Sequence, residues 1–257
     1  MDFTERTYRE YHRQEDLVHF QIVVEETDLD IGIRKERFSP ELVEWVAETI
    51  RACRKPLEDY IQVDHDFVSS LTPYTVLPDA PVIVQTMAEA GRLAGVGPMA
   101  AVAGAVAEWV GKSIAKRSRD VIVENGGDVF MRTSRIRKVG IYAGESPLSN
   151  RIAIEVKPEQ TPLGICTSSG KIGHSLSFGQ ADAVVVLSPS VPLADAVATA
   201  TGNLVQTVED LEGALEFASR IKGVTGVLII KDERLAVWGN VKLLPIKACH
   251  PEHSEGS

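Results

Sequence analysis

The stretch VIVENGGDVFMR, residues 121–132, places β-branched and aromatic residues on both sides of Asn125-Gly126-Gly127-Asp128, the pattern of two short strands joined by a turn. Paired glycines let the backbone take positive φ or approach a ligand closely, and Asp128 then stands at a strand mouth. A tight hairpin with a polar tip accounts for the same residues without any ligand. Just before this stretch, MAAVAGAVAEWVG (99–111) carries no charge until Glu108, and its Ala and Gly content suits a central, fully buried helix. Further strands are predicted at KVGIYAG, RIAIEV and DAVVVLS, and the pair GVLIIK and RLAVWG flanks Asp232-Glu233. Helices are predicted at VIVQTMAEAGRLA, PLADAVATATG and TVEDLEGALEFASRIKG. Nearer the start, LVHFQIVVEETDLDIGI alternates on either side of Asp28 to Asp30 and predicts a half-buried hairpin. Ser39-Pro40 then caps a helix expected to reach about Pro56. The result is an α+β chain, a mixed or antiparallel sheet with packed helices. It reads as a single domain over residues 1–248, or two intimate subdomains, with a frayed tail, CHPEHSEGS, at 249–257.

The 257 residues are 44% apolar, enough for a substantial core. Twenty-seven Lys+Arg stand against 36 Asp+Glu, and the formal charge of -9 repels phosphate backbones, so nucleic acid is not an expected partner. The basic clusters 112–119 and 132–138 read as solvated strand flanks, with a local anion site as the lesser alternative. Leu93 to Val110 is interrupted by Gly95, Gly97 and Pro98 and charged by Glu108, which points to buried helix and away from a membrane span. Cys53, Cys166 and Cys249 match neither a disulfide framework nor a CxxC metal site, and the charged N-terminus MDFTERTYREYHRQEDL lacks the apolar core of a secretory signal. A cytoplasmic location is expected.

Three further segments could carry chemistry. Cys166-Thr167-Ser168-Ser169-Gly170 offers hydroxyl and backbone donors in succession, suited to a phosphate or ribose, and His174 follows four residues later. A lone histidine is also an ordinary structural group, and Cys166 an ordinary buried thiol. In ADAVATA (194–200), a helix presents the oxygens of Asp195 and Thr199 on one face, a spacing that suits a hard cation such as Mg²⁺. Helix N-terminal chemistry alone also favours Asp195. Gly97-Pro98-Met99 leads into the apolar helix, whose free N–H groups attract phosphate. No P-loop, strand-linked GxGxxG or HExxH sequence is present.

Taken in order, NGGD at 125–128, TSSG at 167–170 followed by His174, and ADAVATA at 194–200 resemble the motifs of the ApbE family, the FAD:protein FMN transferases. The resemblance covers roughly residues 95–240, and the N-terminal hairpin and helix look like those of an uncharacterised ApbE-like branch. It implies an ApbE-like fold that holds FAD near Gly97, Met99, Asn125, Gly126, Gly127, Thr167, Ser168, Ser169 and Gly170. It also implies Mg²⁺ at Asp195 and Thr199, with His174 and Asp128 assisting proton movement and positioning. The implied reaction esterifies FMN to a hydroxyl of an acceptor protein and releases AMP. Typical members carry Lys-Gly before the helix that leads to GGD, and a DPxTG segment after the histidine. This chain has neither, reading His174-Ser175-Leu176-Ser177-Phe178-Gly179. The alternatives are therefore a protein of the same fold that binds FAD, FMN or a similar nucleotide without transferring it, and a homo-oligomeric scaffold.

Overall fold

The computed structural model describes residues 16–170 and 179–246. It opens with the hairpin β1 (Leu17–Val24) and β2 (Thr27–Arg34), turning at Glu25-Glu26, where Glu25 takes φ 54. The turn therefore precedes Asp28 and Asp30, which lie inside β2 and accept hydrogen bonds from Gln21 and His19 across the pair. Next comes α1 (Pro40–Val63), with the Ser39 hydroxyl accepting from the Leu42 N–H. It runs past Pro56 because Leu57 and Tyr60 extend the buried face begun by Leu42, Val46, Ile50 and Cys53. Each such buried aliphatic contributes about 1.5–3 kcal/mol, enough to offset a proline that removes one hydrogen bond.

A short α2 (His65–Ser69) and α3 (Val82–Ala94) follow, and after a sharp bend of 103° and a 3₁₀ turn at Pro98–Ala101 comes α4 (Val102–Ile114). Among the described residues no single helix is long and apolar enough to cross a membrane. The chain then forms β3 (Val121–Asn125), β4 (Asp128–Arg132), β5 (Arg137–Gly140), β6 (Ile152–Val156), β7 (Leu163–Ser168) and β8 (Ala183–Ser188). It continues through α5 (Val191–Leu204), α6 (Leu211–Ser219), β9 (Gly226–Lys231), β10 (Arg234–Gly239) and β11 (Lys242–Pro245). The last helix ends at Ser219, short of the Gly223 expected from its sequence, and β7 and β11 are strands that the alternation did not single out.

Eight strands form one antiparallel sheet in the order β1-β2-β3-β4-β7-β8-β9-β10, and β11-β6-β5 form a second. The period of two in each strand sends Leu29, Ile31, Val123, Phe130, Cys166, Val184 and Ile229 to the helix side. Ile122, Met131, Ile165, Val185 and Ile230 go to the other side, against Ile154 and Val156 of the smaller sheet. The helix buried on every side is α5, whose residues Val191 to Gly202 are all buried. The sequence instead suggested α4, which exposes Trp109 and Lys112 to solvent. α5 tolerates complete burial because Asp195 is its only ionisable group and that group is hydrogen-bonded.

Candidate functional site

The hairpin tip joining β3 to β4 takes φ +67 at Gly126 and +105 at Gly127, which explains the glycine pair without a ligand. Its polar groups are engaged: the Gly127 N–H donates to Glu124 Oε1 at 2.8 Å, and the Gly127 carbonyl accepts from the Thr167 N–H at 3.3 Å. Asn125 Nδ2 donates to the Ala103 carbonyl at 3.1 Å, tying the tip to the start of α4. Gly126 alone faces open space.

Asp128 begins β4 directly opposite Cys166 of β7, on the face that α5 covers. Burial pushes its carboxyl up to about 7, assisted by the charge of Glu124, while the neighbouring Cys166 thiol and Thr167 N–H pull partly back. Asp195, in α5, is pushed well above the carboxylate range by burial and by the charge of Asp128. Its Oδ2 accepts from the Gly104 N–H at 2.8 Å. Two residues 67 positions apart in sequence thus share one desolvated space, and Thr199 stands one turn further along the same helix, 9% exposed like Asp195. The Cys166 thiol, on the strand position paired with Asp128, donates to the Val191 carbonyl at 3.4 Å. Burial and both negative charges push it far above its ordinary value, so it is an inert donor and not a nucleophile.

The remaining expected residues divide. Ser168 is buried beside Gly202 in the last turn of α5, and Ser169 follows it half-buried. At Gly170 a side chain would meet the Gly179 carbonyl at 2.0 Å, and at Gly179 one would meet the Gly202 carbonyl at 1.8 Å. Gly179 therefore packs directly on the last turn of α5, and Gly170 packs on Gly179. His174 lies outside the described residues, as do Cys249, His250 and His253. Gly97 packs against the backbone of Ser70 and Leu71, and Met99 packs half-buried on the core. Both are occupied in joining α3 to α4.

Glu108 and Gly104 were not singled out as site residues by the sequence, although both hold α5. The Val191 N–H donates to Glu108 Oε2 at 2.8 Å, and a side chain at Gly104 would meet the Val191 carbonyl at 2.7 Å and Asp195 Cβ at 2.9 Å. The oxygens of Asp128, Asp195 and Thr199 suit a hard cation that keeps waters and substrate phosphates in its shell. Among the described residues no three His, Cys, Asp or Glu side chains gather to hold a metal by themselves. Two cavities lie elsewhere: one of about 450 Å³ beside Leu93 and Phe217, and one of about 500 Å³ beside Arg37, Ser39 and Lys116.

The family model described as "AbpE bacteria" matches residues 9–236. The chain belongs to that family. Among its AbpE relatives, a UPF0280 protein of Methanococcus aeolicus is 37% identical over 230 residues, covering 88% of this chain and 91% of its own. A UPF0280 protein of Methanospirillum hungatei is 45% identical over 201 residues, covering 78% and 80%. Among solved structures, the apo flavinyl transferase ApbE of Pseudomonas stutzeri superposes with a TM-score of 0.58 at 13% identity, over 86% of this chain and 93% of that one. The ApbE protein of Thermotoga maritima gives 0.52 at 12% identity over 87% and 96%. At such identities the likeness establishes the fold: a divergent member of the ApbE-like superfamily with α+β architecture.

Proposed function

We propose that this AbpE protein is a divalent-cation-assisted flavin-nucleotide transferase acting at the Asp128–Asp195–Thr199 site. The observation that carries the reading is that strand pairing sets buried Asp128 of β4 opposite Cys166, whose thiol donates to the Val191 carbonyl one turn before buried Asp195 of α5, and the charge of Asp128 helps to push the Asp195 carboxyl up. Such a pair must hold a proton or a cation, and its all-oxygen character fits Mg²⁺. Bound Mg²⁺ would neutralise the diphosphate of FAD. Asp195, Thr199 and Asp128 would hold the cation, the Gly104 N–H would orient Asp195, and Ser168 and Ser169 would lie along the nucleotide. In the transfer, the acceptor hydroxyl oxygen bonds to the FMN phosphorus, the bond to the AMP oxygen breaks, and His174 would accept the hydroxyl proton. The location of the family's sequence motifs and the fold of its solved relatives support this reading.

A second reading, flavin binding without transfer, is favoured by the missing DPxTG and Lys-Gly segments. Purified protein incubated with FAD, MgCl₂ and candidate acceptor protein separates the two. AMP release that is lost in Asp195→Ala and Thr199→Val supports the transferase; Mg²⁺-dependent FAD binding without AMP supports the binding protein. Absence of flavin binding in the wild type eliminates both.

A further inference from the structure

The N-terminus of α5 is buried, yet its own N-cap residue, Ser190, makes no side-chain cap. The acceptor comes from another helix: Glu108 of α4 reaches across to the Val191 N–H at 2.8 Å. Four residues earlier on α4, the Gly104 N–H donates to Asp195 Oδ2, also at 2.8 Å. One turn of α4 is thus bonded to one turn of α5 at both ends, Glu108 to Val191 and Gly104 to Asp195. The missing side chain at Gly104 lets the two backbones approach closely enough for both bonds. Glu108 itself is 13% exposed and is balanced by Lys112 one turn later. A carboxylate held at a helix N-terminus bonds strongly, because the bond is charge-assisted and the helix dipole favours it.

We propose that Glu108 is a positioning residue that fixes where Asp195 stands opposite Asp128, and so tunes the affinity of the site for its phosphorylated ligand. The second part rests on the function proposed above. Removing the Glu108 carboxylate leaves the Val191 N–H buried without its acceptor, and α5 relieves that by shifting or fraying its first turn, which carries Asp195.

The test compares Glu108→Ala with Glu108→Gln, whose amide oxygen can still accept from Val191, in the full chain. Two readouts are needed: Mg²⁺-dependent FAD affinity, and the amide resonance of Gly104 in ligand-free protein. Glu108→Ala is expected to weaken FAD about tenfold and to move the Gly104 resonance, while Glu108→Gln restores both to near the wild-type values. An unmoved Gly104 resonance in Glu108→Ala overturns the positioning role whether or not FAD binds. Equal losses in the two variants overturn it as well, because charge and not the hydrogen bond would then be responsible. Should Glu108→Ala fail to fold, Glu108→Gln decides: a displaced Gly104 resonance in that variant overturns the proposal, and a native one with native FAD affinity supports it. Wild-type protein that binds no FAD refutes the flavin reading and leaves the Gly104 resonance to judge Glu108.

Discussion

Asp128 should make the protein lose stability as the pH rises through neutrality, and Asp128→Asn should reduce that loss to what the likewise raised Asp195 still contributes. Its carboxyl stands at about 7 in the folded chain against 3.8 in a solvated one. Between these values the folded state holds a proton that the unfolded state has released. The contribution is therefore fully present below about pH 4 and is lost as the pH climbs through about 7. The whole displacement corresponds to about 4 kcal/mol, rather more than half of it between about pH 5 and about pH 8. Asp16, pulled down by Arg137, and Asp120, pulled down by the Ser134 amide and hydroxyl, the Thr133 hydroxyl and Arg137, act with the opposite sign and only at the acid end. Urea unfolding midpoints at the two pH values compare wild type with Asp128→Asn: wild type should lose more stability than the variant, by about 2 kcal/mol. Millimolar MgCl₂ should recover part of the loss at the higher pH in wild type alone, because a cation replaces the proton. Parallel behaviour of the two proteins across this range would refute the buried-pair reasoning.

Other consequences are open to direct measurement. Gly111→Ala would drive a methyl to 2.1 Å from the Phe130 ring and should cost about 1–3 kcal/mol, whereas Gly213→Ala in α6 meets open space and should stabilise by about 0.5–1 kcal/mol; urea midpoints compare them. Arg137→Met should cost about 3–5 kcal/mol, since the guanidinium, 3% exposed, holds Asp16 at 2.5 and 2.9 Å and lies 3.5 Å from buried Asp120. In a Cys249→Ser background, Cys53, pushed up to about 12 by burial, and Cys166, pushed well above its ordinary value by burial and neighbouring carboxylates, should resist iodoacetamide until urea unfolds the chain. Mass spectrometry of labelled peptides reads this out.

Much of this architecture is written in short-range pattern. Strands β3, β4, β6, β8, β9 and β10 come from alternation and β-branched runs, and Ser39-Pro40 announces α1. Prolines and turns misled where tertiary packing overrode them: Pro56 sits inside α1 because its neighbours continue a buried face, and the first hairpin turns at Glu25-Glu26 and not at the aspartates. β7 escaped notice because LGICTS, buried at five of six positions with Thr167 only half-buried, neither alternates nor looks apolar throughout.

The candidate site was half legible for a related reason. Asp128, Asp195 and Thr199 announce themselves by residue type and by the order of their motifs, so their convergence could be anticipated. What places them together could not, because it depends on atoms that are missing. Gly104 contributes by lacking a side chain, so that α4 and α5 touch through backbone; Gly164 does the same beneath Val191, and Gly111 beneath Phe130. In a sequence such positions are indistinguishable from the other small residues of an alanine-rich helix. The same logic explains why divergence in the loop motifs is compatible with an intact carboxylate pair. The pair is positioned by the α4–α5 contact and by the pairing of β4 with β7, and neither uses the Lys-Gly or DPxTG segments. Changes there leave intact the contacts that hold Asp128 on β4 and Asp195 on α5.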